Sequence, residues 1–150
     1  MRSGLLCALS FAALAGIVPL PAAADDGDPM TVASLKGTWQ MTFMGITGCG
    51  FSTSVVTIVL DATGNGTATS RYHTAGCGDG IASTPVPFNV FTLNPDGSGT
   101  AGLSCGAACG WALVIQVEKN RQLFTAIDVD PMNPGNFVSA VAVRRTTPDE

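Results

Sequence analysis

The sequence predicts an all-β protein, an eight-stranded antiparallel up-and-down barrel, with a two-sheet β-sandwich of the same strands as the alternative. Three observations carry this reading. Polar and apolar residues alternate from Gly37 onward, where Trp39, Met41 and Phe43 interleave with Gln40 and Thr42, the pattern of a half-buried strand. Cys49-Gly50, Cys77-Gly78 and Cys105-Gly106 recur at intervals of 28 residues, room for two short strands and the turn between them, so each interval is one hairpin. Leu60, Gly64, Gly66, Thr67 and Ala68 recur 33 residues later as Leu93, Gly97, Gly99, Thr100 and Ala101, which marks a repeated hairpin design.

The elements follow in order. A short turn is expected near 32–36, then a first strand through Trp39 and Phe43. Further β-rich runs lie at 53–60, 67–72, 88–93, 100–105, 111–118, 122–129 and 137–144. No segment joins helical periodicity to a cap and sufficient length, so almost no helix is expected. The connections at 61–66, 94–99 and 119–121 are short and polar, as hairpin turns are. A second set, at 45–52, 73–87, 106–110 and 130–136, alternates with them, and the first three of these carry or border the cysteines. In an up-and-down arrangement every second connection lies at one end, so these loops form a mouth and the short turns a closed floor. Closing eight strands into a barrel removes the exposed sheet edges.

The N-terminus reads as a secretory signal. Met1-Arg2 is followed by an apolar run of 14 residues from Leu5 to Val18 and by Ala22-Ala23-Ala24, and that run is too short to cross a membrane as a helix. The expected organisation is a signal peptide over 1–24, a lead-in over 25–36, the barrel over 37–145 and a tail over 146–150. Localisation is then secreted or periplasmic, with no membrane span. Removal of the leader takes Arg2 and Cys7 with it. Six basic side chains then face eleven acidic ones, a net charge of −5, which makes nucleic acid a poor partner.

Four cysteines in an exported chain read first as disulfides. Zinc is the rival, but Cys105 and Cys109 are the only close pair, so the spacing disfavours a metal site. Asp128, Asp130 and Asn133 lack the glycine and final glutamate of a calcium loop. Neither metal nor cofactor is therefore expected. Of three possible connectivities, the favoured one joins Cys105 to Cys109 across a three-residue loop and Cys49 to Cys77 across neighbouring loops. A glycine after each cysteine leaves its loop free to adopt positive φ.

At Leu35-Lys36-Gly37-Thr38-Trp39 the chain resembles the start of the calycin barrels, the group of lipocalins, fatty-acid-binding proteins and avidins. The resemblance implies that Trp39 plugs the closed end beneath an arginine from the end of the last strand, here Arg144 or Arg145. With Trp39 and Trp111 as its only tryptophans, the chain departs from the tryptophan-lined avidin pocket. Architecture alone is carried over.

The expected function is a binding protein that takes a small apolar ligand at the disulfide-braced mouth, through Phe51, Trp111, His73, Tyr72 and Met132. The alternative is a protein-binding module, such as an inhibitor of an exported enzyme, that uses the same rim loops. A third reading is an enzyme centred on His73, the one histidine, with Arg71, Tyr72 and Asp79 near it in sequence. It lacks a serine in a nucleophile elbow and paired carboxylates on one strand. Binding is therefore preferred, and no catalytic residue is assigned.

Overall fold

The computed structural model describes residues 29–104, 110–131 and 134–146. The expected signal peptide, the Cys105 and Cys109 pair, Met132, Asn133 and most of the tail lie outside the described residues. After a 3-10 turn at Val32–Leu35 come β1 (Gly37–Thr47), β2 (Gly50–Leu60), β3 (Asn65–Thr74) and β4 (Gly78–Leu93). They are followed by β5 (Ser98–Ser104), β6 (Gly110–Val117), β7 (Leu123–Asp128) and β8 (Phe137–Arg144). Each strand pairs antiparallel with the next, and β8 returns to β1 with Trp39 opposite Arg144 and Ile46 opposite Phe137. The sheet is a closed barrel, so the sandwich alternative does not hold. Among the described residues no helix is long and apolar enough to cross a membrane.

The strands at the mouth run further than the sequence reading expects. β1 and β2 continue through Ile46↔Phe51 to Thr47↔Gly50, which leaves a tight turn where a loop over 45–52 was expected. Likewise β3 and β4 pair as far as His73↔Asp79 and Thr74↔Gly78, across much of the expected loop over 73–87. Pro85 and Pro87 give that stretch the look of a loop, since proline cannot donate to a ladder. A register shift between Ala68 and Ser70 takes residues 83–85 out of regular pairing and lets the strand resume.

The floor is packed solid. Trp39, Phe88, Phe124, Leu35, Met41, Ile58, Leu113 and Ile115 are all buried in one core. The Trp39 and Phe124 rings lie 5.0 Å apart, tilted by 57°, within the favourable range for aromatic pairs. The Trp39 Nε1–H donates to the Leu35 carbonyl at 2.9 Å, so the 3-10 turn is fastened beneath the barrel. The Arg144 guanidinium lies 4.8 Å from the Trp39 ring and donates to the Ser34 carbonyl. Burial, and secondarily the Arg121 charge, lowers its pKa, yet a guanidinium stays cationic at any physiological pH.

The floor turns share one device. The amide of Val90 on β4 donates to the Gly64 carbonyl at 2.8 Å, Val117 on β6 to Gly97 at 2.9 Å, and Arg144 on β8 to Gln122 at 2.8 Å. Each turn is thereby bonded to the strand after its own hairpin. The Arg145 amide completes the ring by donating to Thr38 on β1 at 2.8 Å. Asp61 Oδ1 accepts from the Thr63 hydroxyl and amide and the Asn65 amide. Asp96 Oδ1 accepts from the Ser98 hydroxyl and amide.

Candidate functional site: the barrel mouth

Side-chain size falls along the inward face of β2 from floor to mouth, through Leu60, Ile58, Val56, Ser54 and Ser52. Small residues also face this space from the neighbouring β3, Ala68 and Ser70. The floor half is therefore filled and the mouth half hollow, with a cavity of about 400 Å³. That volume lies in the range of small-molecule pockets.

Two walls of different chemistry face this space. Phe43, Val86, Leu103, Trp111 and Val138 supply an apolar wall, in which the Phe43 and Trp111 rings lie 5.2 Å apart. Ser52, Ser54, Ser70, Tyr72 and Thr74 supply a hydroxyl-bearing wall on β2 and β3. No Asp, Glu, Lys, Arg or His is among the described residues that line it. Tyr72 pairs directly with Gly80 across the β3–β4 ladder. A Cβ on Gly80 would come within 2.2 Å of the Tyr72 hydroxyl oxygen, so the phenol lies over the bare glycine.

The rim is braced by one described disulfide. Cys49 and Cys77 are bonded with their Cα atoms 5.4 Å apart, which ties the β1–β2 turn to the β3–β4 turn as expected. The Gly76 amide reinforces the link by donating to the Cys49 carbonyl at 2.7 Å. The two turns are built alike. Thr47 accepts from the Cys49 amide and donates to the Gly50 carbonyl, and Thr74 does the same with Cys77 and Gly78. Gly50 and Gly78 have φ of +83° and +80°, a conformation that side-chain-bearing residues avoid.

Of the expected ligand-binding residues, the structure brings Trp111 and Tyr72 together in the cavity. Phe51 and His73 sit on the outer face, and Met132 lies outside the described residues. Phe51 is 55% exposed and forms a row across β2, β1 and β8 with Ile46 and Phe137, which are 53% and 70% exposed. The His73 Nδ1 and an Asp79 carboxylate oxygen, directly opposite each other, form an exposed hydrogen-bonded pair beside a shallow depression that Arg71 and Thr42 border. A carboxylate can orient an imidazole there, but neither residue lines the cavity, and the depression meets it only through Thr53, Ser54 and Tyr72. Among the described residues no group of three or more His, Cys, Asp or Glu side chains is placed to hold a metal ion.

Sequence reasoning missed Phe43, Val86, Leu103, Val138, Ser54 and Ser70. The signal for part of this set is Ser52-x-Ser54-x-Val56-x-Ile58-x-Leu60, a strand face that grades from polar to apolar. The closed eight-stranded architecture, with tryptophan under arginine at the floor, is compatible with a calycin-like barrel. The chain matches no protein-family model, no curated protein and no solved structure with which it was compared.

Proposed function

We propose that the protein is an exported, calycin-like carrier that binds a small, largely apolar molecule in the barrel mouth. The observation that carries this is the cavity of about 400 Å³ above a solid floor, with Phe43 and Trp111 on its wall and a disulfide across its rim. A rigid, preformed site loses little freedom on binding. The leader-like N-terminus and the disulfide support export. A panel of neutral hydrophobes tests the reading by thermal unfolding and by Trp111 fluorescence. A ligand at about 100 times its Kd adds about 2.7 kcal/mol, a rise of several degrees in Tm. Trp111→Ala should weaken binding by about tenfold or more. If no hydrophobe raises Tm, the reading fails.

The second reading, a protein-binding module, is favoured by the exposed row Phe51, Ile46 and Phe137. Three adjacent apolar side chains beside a braced rim suit a partner's surface. Phe51→Ser with Phe137→Ser should leave hydrophobe binding within twofold. Those changes should abolish association with any protein partner once one is in hand.

A further inference from the structure

The cavity carries an inference furthest. It rests on the small-ligand reading above and specifies the ligand's chemistry.

We propose that the mouth selects an uncharged amphipathic molecule, its apolar body held against Phe43 and Trp111 and its hydroxyl or carbonyl group held by Ser54, Ser70 and Tyr72. The register gathers these three hydroxyls. Ser54 pairs directly with Tyr72, and Ser70 stands opposite Val56, one inward position deeper on each strand. Opposed side chains in such a ladder have Cβ atoms about 4.5 to 5.5 Å apart, and diagonal neighbours lie about 7 to 8 Å apart.

The other two hydroxyls of that wall are already engaged in the rim. Ser52 bonds Thr47 and the Gly50 carbonyl, and Thr74 bonds Gly78 and Cys77. The hydroxyl groups of Ser54, Ser70 and Tyr72, by contrast, make no hydrogen bond to another described residue. They are the polar capacity that the inward face leaves for a ligand; Thr53, on the outward set of β2, is the other lining hydroxyl residue without such a bond. A hydroxyl both donates and accepts, so the trio serves an alcohol, a phenol or a carbonyl equally.

Charge is selected against. No cationic side chain among the described lining residues offsets the desolvation of a carboxylate, and no carboxylate offsets that of an ammonium group. The acidic balance of the chain adds long-range repulsion of anions. An alkane-like ligand, in turn, leaves three half-enclosed hydroxyls without partners, which lowers its affinity.

Calorimetry with four probes of one ring system tests this: naphthalene, 2-naphthol, 2-naphthoate and 2-naphthylmethylammonium. The expected order places 2-naphthol about tenfold or more tighter than each of the other three. Binding of the carboxylate or the ammonium probe as tight as that of 2-naphthol overturns the proposal, as does equal affinity for naphthalene. In the variant Ser54→Ala, Ser70→Ala, Tyr72→Phe, naphthalene affinity should persist while the advantage of 2-naphthol falls below about twofold. Retention of the full advantage in that folded variant places the polar contact elsewhere and also overturns it. If none of the four probes binds, the small-ligand reading itself falls and this inference falls with it. Naphthalene bound without selectivity leaves that reading standing and removes only the inference.

Discussion

Tyr72 lies across the bare backbone of Gly80, its partner in the β3–β4 ladder. The contact holds the phenol at the cavity edge because Gly80 has no side chain to compete for the space. A side chain at position 80 would force the ring away. Gly80→Val should cost about 1 to 2 kcal/mol of stability. It should also weaken binding of a phenolic probe more than that of an unsubstituted aromatic one. Denaturant unfolding and calorimetry on the same variant check both, and equal weakening of the two probes would show that Tyr72 supplies no polar contact.

The floor should prove structural. Trp39→Ala removes a fully buried indole and its bond to Leu35, at a cost of about 3 to 5 kcal/mol. Arg144→Met keeps the stem but loses the cation over the ring and the bond to Ser34, for about 1 to 3 kcal/mol. Urea unfolding midpoints measure these losses. Probe affinity in folded Arg144→Met should match that of the unaltered protein, because the cavity lies in the other half of the barrel.

Opening the Cys49–Cys77 bond releases a loop whose ends are 28 residues apart. Chain-entropy arguments put the loss at about 3 to 4 kcal/mol. Cys49→Ser with Cys77→Ser should therefore lower the guanidinium midpoint markedly and, by loosening the rim, weaken probe binding. Intact mass before and after reduction should differ by four hydrogen atoms if Cys105 and Cys109 are also joined. A difference of two would leave the described bond as the only one.

Acid should act through the floor turns. Hydrogen bonds from the Thr63 hydroxyl and then its amide hold the Asp61 carboxyl below its ordinary pKa, and the Ser98 hydroxyl and amide do the same for Asp96. A depressed native pKa means that the unfolded chain binds the proton first. The stabilisation is fully present above the unfolded carboxylate pKa, about 4, and is lost as pH falls through the lower native values. Asp61→Ala with Asp96→Ala should reduce stability at pH 7 and flatten its decline as pH falls below about 4. Thermal unfolding across that range measures the slope, and an unchanged slope refutes the assignment.

Strand number and order were legible because each strand alternates and each floor turn carries its own polar, glycine-bearing signature. The site was legible only in part, and β2 shows why. Its inward set, Ser52, Ser54, Val56, Ile58 and Leu60, and its outward set, Phe51, Thr53, Val55, Thr57 and Val59, hold similar amounts of apolar surface. Alternation therefore could not choose between the two faces. The choice comes from β1, whose Trp39, Met41 and Phe43 face the core opposite Ile58, Val56 and Ser54. That pairing turns Phe51 outward, away from the place its sequence position suggests. His73 is set in the same way, because its neighbours Tyr72 and Thr74 take the inward positions.

The 3-10 turn that leads into β1 is fastened under Trp39, and the backbone leaves β8 at Arg144 directly beside it. Both crossings between barrel and lead or tail thus lie on one side, opposite the opening. A fusion partner, a surface tether or a membrane anchor joined through either crossing would present the cavity outward, like a cup standing on its base. Immobilised through either end, the protein should keep the probe affinity it has when free in solution.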